Sequence, residues 1–169
     1  MNKFVFKTKP YQHQREAFEG SAEQENYALL MDMGTGKTKV CIDTIAHSFE
    51  KKKVDLAIIV APKGVIANWI GEIETHLPER IGTDIVLWKP NLTKAKRKEL
   101  VDLYKENDNL KFLLMNIEAF STKKGVDVAE FFVKKFKVFM AVDESTTIKN
   151  RRAKRTKSIC DVGRGAVMR

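Results

Sequence analysis

Short apolar runs alternate with longer amphipathic segments along this chain. Several of the short runs are apolar throughout, which is typical of strands buried on both faces of a parallel sheet. The predicted strands cover residues 27–33, 55–62, 84–88, 111–116 and 137–143. The predicted helices cover residues 13–19, 37–51, 65–76, 93–106 and 126–135. This β-α-β-α order predicts an α/β domain with a mainly parallel sheet flanked by helices.

Length and charge narrow the class of protein. A chain of 169 residues with 43% hydrophobic and 31% charged residues is typical of one globular domain. Lys and Arg number 31 against 22 Asp and Glu, which gives a net charge of +9. This excess favours an anionic partner, nucleic acid before an acidic membrane surface, although a dispersed basic surface would explain the charge equally well.

Cysteine usage and hydropathy argue against an extracellular or membrane protein. The two cysteines, Cys41 and Cys160, form neither a disulfide framework nor a zinc motif. No apolar run approaches the ~18 residues of a membrane span, and the N-terminus lacks the apolar core of a signal peptide. We therefore expect no membrane partner and a cytoplasmic location, or a nuclear one in a eukaryote.

Residues 34–38 read Gly-Thr-Gly-Lys-Thr and stand between a predicted strand and a predicted helix. Glycines allow turns with positive φ that bring backbone N–H groups to phosphate oxygens, and a helix N-terminus favours the same anion. Lys37 would reach the β- and γ-phosphates of a nucleotide, and the hydroxyl of Thr38 would bind Mg²⁺. The first glycine of the full pattern is replaced by Met31, so a purely structural turn is the alternative.

A carboxylate pair follows the last predicted strand. Asp143 and Glu144 come after five apolar residues. We expect Asp143 to bind the metal ion and Glu144 to act as general base toward the attacking water. The alternative is that Asp143 caps a helix beginning near Ser145. The phosphate loop upstream favours the catalytic interpretation.

Five segments appear in an order that resembles a known family. They are "KPYQHQREAF", "DMGTGKT", "IIVAPKGVIANWIGEI", "FLLMNIEAFS" and "VDESTTIKNRRAKRTKSI". They resemble motifs Q, I, Ia, Ib and II of the N-terminal RecA-like lobe of superfamily 2 helicases, in the Swi/Snf-like branch of DNA-dependent ATPases. The resemblance covers nearly the whole chain and implies a RecA-like P-loop NTPase fold.

The resemblance assigns roles to single residues. It implies that Gln14, preferred to Gln12, contacts adenine and that Glu144 and Lys37 are catalytic. It implies Mg²⁺ ligation by Thr38 and Asp143. The residues implied in holding ATP beside Gln14 are Met33, Gly34, Thr35, Gly36, Lys37 and Thr38.

The family also implies contact with a DNA backbone, duplex DNA being expected. The implied residues are Lys63, Asn116, Lys149, Arg151, Arg152 and Arg155, the last four in a basic helical tail over residues 149–165. An ordinary loop lysine, a turn asparagine and a solvated helix face, or one that packs on a second lobe, are the alternatives.

Two departures from the family pattern limit these expectations. Thr146 occupies the usual position of a histidine. The strand of motif III, which the resemblance places between the motif I and motif II strands, is absent from residues 1–169, as is a second RecA-like lobe. Buried backbone groups left unpaired there would cost ~1–3 kcal/mol each. We therefore expect a single truncated N-terminal lobe.

The expected activity follows from that truncation. We expect this lobe to bind ATP and Mg²⁺ weakly, with little or no turnover unless a second lobe joins it, in the same longer chain or in trans. A non-catalytic helicase-like module that binds nucleic acid or a protein is one alternative. An unrelated phosphate-loop ATPase is the other.

Overall fold

Four parallel strands form one sheet at the centre of the molecule. The computed structural model describes residues 4–91 and 93–169. The strand order is β2-β3-β1-β4, and all neighbours are parallel, which confirms the predicted α/β class. The strands are β1 (Leu56–Ala61), β2 (Thr83–Leu87), β3 (Leu110–Asn116) and β4 (Val138–Val142).

Within the described ranges, six α-helices and two short 3₁₀-helices connect and flank these strands. Threonines begin two of the α-helices: the Thr93 hydroxyl accepts a hydrogen bond from Lys96 N, and the Thr122 hydroxyl accepts one from Gly125 N. The α-helices are α1 (Gln12–Ser21), α2 (Lys37–Glu50), α3 (Asn68–His76), α4 (Lys94–Tyr104), α5 (Lys123–Lys135) and α6 (Lys154–Arg164). The 3₁₀-helices are Ile117–Ser121 and Ser145–Ile148.

Alternate residues of each strand supply two separate cores, as the two-residue period of a strand requires. Ala57 and Ile59 of β1 belong to the core that includes α2 and α3. Their neighbours Ile58 and Val60 belong to the core that includes α5 and α6. Because the central strand β1 is buried along its whole length, its sequence is apolar throughout.

The predicted strand over residues 27–33 is wrong. These residues form no strand, and the side chains of Leu30 and Met33 are 95% and 90% exposed. The reason is that a strand needs a neighbour to pair its backbone groups. Among the described residues, only the last few of the chain lie between this segment and β4, and they reach no further than Glu25 and Tyr27.

Residues 167–169 occupy the position between β4 and the segment that precedes the phosphate loop. Met140 N donates to Met168 O at 2.8 Å, and Phe139 and Met168 form a parallel bridge. On the other side, Tyr27 N donates to Arg169 O at 2.9 Å. Beyond these bonds the segment and β4 diverge, and a cleft of about 610 Å³ opens between them.

Candidate nucleotide site

The phosphate loop contains two residues in the left-handed region of backbone space. Gly34 has φ of 76° and Gly36 has φ of 84°, and α2 begins directly after Gly36. Residues with a side chain adopt this conformation only at a cost, so both positions favour glycine. The result is a tight turn that leads into the N-terminus of a 14-residue helix, where free N–H groups attract anions.

Lys37 folds back over this loop. Its Nζ donates to the carbonyl oxygen of Met31 at 3.0 Å and to that of Asp32 at 2.8 Å. The hydroxyl of Thr35 donates to the same Asp32 oxygen at 2.7 Å. These bonds hold the ammonium group at the mouth of the turn, where phosphate oxygens can replace the carbonyl oxygens as its partners.

Helix α1 braces the loop from one side. The buried side-chain amide of Gln14 donates from Nε2 to the carbonyl oxygen of Thr35 at 3.0 Å and accepts a bond from Tyr11 N at 3.0 Å. A ring nitrogen of His13 lies 3.0 Å from the same Thr35 oxygen. Both ends of the Gln14 amide therefore bind protein groups, and its contact with adenine stays a prediction.

The carboxylate pair lies where β4 ends. Asp143 N donates to Val60 O at 2.8 Å, which continues the ladder to β1 by one residue. The Asp143 carboxylate accepts two bonds, from Glu144 N to Oδ1 at 2.9 Å and from Trp69 Nε1 to Oδ2 at 3.0 Å. Asp143 therefore does not cap the 3₁₀-helix Ser145–Ile148, whose first flanking residue is Glu144.

Glu144 is held in a strained backbone conformation. Its φ is 52°, in the left-handed region, and its side chain is exposed. Such a conformation costs a residue with a side chain ~1–2 kcal/mol, and strain of this kind is concentrated at functional sites. The strain is consistent with a role for Glu144 in chemistry.

One cleft brings these groups together. Lys37 and Thr38 at the start of α2 and Asp143 and Glu144 after β4 all line the cleft of about 610 Å³, and Thr146 lines it too. A hydroxyl and carboxylates are the hard oxygen ligands that Mg²⁺ prefers. The left-handed turn at Gly34 and Gly36 comes directly before Lys37 at the N-terminus of α2. The residues present therefore fit a nucleotide with its metal ion.

Cys41 lies in the wall of the same cleft and is buried. Burial, and then the negative charge of Asp143, raise the pKa of its thiol to about 12. The thiol therefore stays neutral near pH 7 while no metal ion is bound.

Two of the predicted nucleic-acid residues lie at the same edge of the sheet as Asp143. Ala61, the last residue of β1, pairs with Asn116, and Lys63 is exposed just beyond it. The side-chain oxygen of Asn116 accepts a bond from Ala119 N at 2.9 Å and so caps the 3₁₀-helix that follows. The carboxyl ends of parallel strands meet at one edge, which is where α/β proteins bind ligands.

The basic segment before and within α6 contains the other predicted nucleic-acid residues. Lys149, Arg151 and Arg152 are exposed, whereas Arg155 is half-buried in the first turn of α6. The opposite face of α6 packs into the core through Ile159. The exposed cations therefore project from an anchored helix and the turn that precedes it.

Trp69 is not among the site residues that the sequence predicts, and the structure joins it to Asp143. The contact spans 74 positions along the chain, so no local pattern could have revealed it. The tryptophan follows the proline of the segment that resembles motif Ia, and that resemblance is the sequence signal that points to Trp69.

None of the helices in the described part of the chain combines the length and the hydropathy of a membrane span.

Comparison with known proteins gives consistent matches. A family model described as the SNF2-related domain matches residues 11–165. The probable ATP-dependent DNA helicase CHR12 of Arabidopsis thaliana is 31% identical over 136 residues, which is 79% of this chain and 11% of that protein. The chain thus spans about a tenth of the length of this curated relative.

A solved structure shares the fold. The Sulfolobus solfataricus SWI2/SNF2 ATPase core in complex with dsDNA matches with a TM-score of 0.62 and 18% sequence identity. The match covers 94% of this chain and 31% of that one. At this level of identity the likeness shows the RecA-like architecture, with its parallel sheet flanked by helices.

Proposed function

The chain belongs to the SNF2-related domain family, and from that premise we propose that it is the ATP-binding lobe of a Swi/Snf-like, DNA-dependent ATPase. The observation that carries the proposal is the shared cleft. Lys37 and Thr38 at the start of α2 line it opposite Asp143 and Glu144 at the end of β4. In this proposal the two pairs of residues form the two halves of a site for a nucleoside triphosphate and Mg²⁺.

Each residue has a separate task in this proposal. Residues 33–38 hold the phosphates through backbone N–H groups, and Lys37 exchanges the carbonyl oxygens of Met31 and Asp32 for phosphate oxygens. Thr38 and Asp143 hold Mg²⁺, which neutralises charge on the phosphates when it is bound. Glu144 accepts the proton of the attacking water as general base.

We propose two macromolecular partners. A second RecA-like lobe, in the same longer chain or in trans, would complete the catalytic site, because arginines supplied from outside a phosphate loop contribute ~10³–10⁵ in rate. Nucleic acid, with duplex DNA expected, would lie along Lys63, Asn116 and the basic segment that includes Arg151 and Arg152. One matched protein is a probable DNA helicase and the other is an ATPase core in complex with dsDNA, which supports this choice. A cytoplasmic or nuclear location stays a prediction from the sequence.

A second candidate function is binding without catalysis. The exposed cations Lys149, Arg151 and Arg152 favour it, because such a cluster binds phosphates whether or not ATP is hydrolysed. The two functions differ in what the nucleotide does. The first requires Mg²⁺-dependent binding of ATP at Lys37, which we expect to be weak in this lobe alone, and the second requires none.

A titration with a fluorescent ATP analogue tests the first function. We expect saturable binding that Mg²⁺ strengthens, and we expect Lys37→Ala to abolish it. Lys51→Ala is the matched control, because Lys51 is exposed directly after the other end of α2. Binding that survives Lys37→Ala, or that is lost equally in Lys51→Ala, would contradict the assignment of the phosphate loop.

A further inference from the structure

One hydrogen bond joins helix α3 to the carboxylate that the proposed function assigns to Mg²⁺. Trp69 is the second residue of α3, and its Nε1 donates to Asp143 Oδ2 at 3.0 Å. The indole is buried, with only 3% of Trp69 exposed, and it packs in the core that α2 and α3 share. A rigid, buried ring therefore holds one oxygen of a half-buried carboxylate.

The hydrogen bond satisfies the Trp69 indole N–H and fixes one oxygen of the Asp143 carboxylate. A buried indole N–H that loses its partner cannot turn to water, so the bond to Asp143 satisfies Trp69. The other tryptophan shows the contrast: within residues 4–91 and 93–169, Trp88 Nε1 has no hydrogen-bond partner. For Asp143, the bond to Oδ2 joins the bond from Glu144 N to Oδ1, so each carboxylate oxygen has one fixed donor.

Two fixed donors define the orientation of the carboxylate. Each carboxylate oxygen has two lone-pair sites, so one site on each oxygen stays available to a metal ion. A ligand that is already oriented loses little freedom when the metal binds. Groups that hold a metal ligand in this way commonly change metal affinity by about 10- to 100-fold when they are removed.

We propose that Trp69 is a positioning residue for the metal ion: it holds the Asp143 carboxylate in the orientation that binds Mg²⁺. This inference rests on the proposed function. It also joins the loop that contains Lys63 to the metal site, because that loop leads directly into α3. Trp69 itself makes no bond to phosphate in this proposal, so its effect is confined to Mg²⁺.

Trp69→Phe tests the proposal, since phenylalanine keeps an aromatic ring and removes the N–H donor. In EDTA, where Mg²⁺ is removed, we expect the variant and the unmodified chain to bind the fluorescent ATP analogue with equal affinity. The Mg²⁺ concentration that gives half of the metal-dependent gain in affinity should rise about 10- to 100-fold. Trp88→Phe is the matched control, because it removes a buried indole whose N–H bonds to no described group, and its Mg²⁺ midpoint should not change.

The outcomes separate this inference from the proposed function. If the unmodified chain does not bind the nucleotide analogue, both the inference and the proposed function are overturned. Normal binding in the unmodified chain, with an unchanged Mg²⁺ midpoint in folded Trp69→Phe, would overturn the inference alone. An equal rise of the midpoint in Trp88→Phe would also overturn it, because the effect would then come from core packing.

A second measurement serves if Trp69→Phe does not fold. The chain has two tryptophans, so its two indole N–H resonances in a ¹⁵N NMR spectrum can be assigned with Trp88→Phe. Asp143→Ala should shift the Trp69 resonance and leave that of Trp88 in place. Saturating Mg²⁺ with the ATP analogue should also shift the Trp69 resonance in the unmodified chain. A Trp69 resonance that moves in neither case would overturn the proposal.

Discussion

The side-chain amide of Gln14 donates a hydrogen bond to the carbonyl oxygen of Thr35 at 3.0 Å, which joins helix α1 to the phosphate loop. The same amide accepts a bond from Tyr11 N. Gln14 is 6% exposed, so its side chain is buried between the helix and the turn and contacts both. Gln14 can therefore affect a nucleotide through the shape of the loop, and its contact with adenine stays a prediction.

Gln14→Ala should weaken the binding of ATP and of inorganic triphosphate by the same factor, about 3- to 10-fold, the value of one net hydrogen bond. Competition against the fluorescent ATP analogue measures both ligands. Gln12→Ala is the control, because the one hydrogen bond from exposed Gln12 to a described side chain goes to Glu16 on its own helix. A loss for ATP without a loss for triphosphate would show instead that Gln14 reads the adenine base.

The two left-handed glycines of the loop should differ in their tolerance of alanine. A Cβ at Gly34 meets no atom of a described residue within 4 Å, whereas a Cβ at Gly36 would lie 2.3 Å from Gln14 Nε2. Gly34→Ala should therefore cost only the left-handed strain, ~1–2 kcal/mol. Gly36→Ala should cost more and should also displace Gln14, so nucleotide affinity should fall further in that variant.

Urea denaturation and analogue titration check this order. Gly71→Ala in α3 is the control, because a Cβ there meets nothing within 4 Å and φ is not left-handed. It should stabilise the protein by about 0.5–1 kcal/mol, since alanine is the better helix former. Equal losses in Gly34→Ala and Gly36→Ala would show that the contact with Gln14 has no effect.

The apolar pattern of the sequence correctly predicts the strands that are buried on both faces. It fails for a segment whose strand structure depends on backbone pairing with a distant part of the chain. The apolar runs that became β1 and β3 needed no knowledge of their neighbours, because burial on both faces leaves its mark on every residue. The run over residues 27–33 is equally apolar. It forms no strand because backbone pairing depends on a neighbour from elsewhere in the chain, which composition does not report.

The same distinction applies to the candidate site. The turn at Gly34 and Gly36 is encoded locally, so its glycines and the helix after it could be predicted from five residues. The contact of Trp69 with Asp143 is not local, and neither is that of Gln14 with Thr35. Helix α5 also begins three residues before the predicted position 126, because Thr122 provides a cap that an apolar pattern does not register.

A buried ion pair on α2 should make stability depend on pH. Lys39 Nζ lies 2.7 Å from Asp43 Oδ2, and both side chains are buried. Burial raises the pKa of Asp43 to about 6, and the bond from Lys39 only partly offsets this. Between about pH 4 and pH 6 the folded state keeps a proton that the unfolded state releases. Stability should therefore fall as the pH rises through this window, by up to about 3 kcal/mol, and level off above it.

Urea denaturation from about pH 4 to pH 7 checks this sign. The reference is the double variant Lys39→Met/Asp43→Leu, which has no charge at either position. His76 is sensitive to the charge of Lys39, so both chains should contain His76→Gln. The stability of the paired chain relative to the reference should decline with rising pH; a difference that rises or stays constant would refute the raised pKa of Asp43.

Single variants of this pair should cost more than the double variant. Asp43→Leu alone leaves the Lys39 ammonium buried without its carboxylate, a change that typically costs 3–5 kcal/mol. The double variant replaces both charges with apolar groups of similar size and should recover most of that loss. A double-mutant cycle at pH 7 measures the difference, and simple additivity of the two single changes would show that the pair is not coupled.

The exposed arginines before α6 should contribute to DNA binding, and their contribution should appear in the dependence of affinity on salt concentration. Asn150 Oδ1 accepts a bond from Arg152 N at 3.0 Å, which fixes the turn that presents Arg151 and Arg152. If each arginine neutralises one phosphate of duplex DNA, Arg151→Ala/Arg152→Ala should reduce the slope of log affinity against log salt by about 2. The loss should be similar for different DNA sequences, because phosphate contacts read no bases.

A charge-matched variant elsewhere on the surface decides whether this effect is local. Arg97→Ala/Lys98→Ala removes the same two charges from the exposed face of α4. It should leave the slope nearly unchanged, since loss of net charge alone acts weakly beyond a Debye length of ~8 Å at physiological salt. An equal fall in both variants would mean that DNA responds to the net charge of +9 and that residues 151 and 152 form no site.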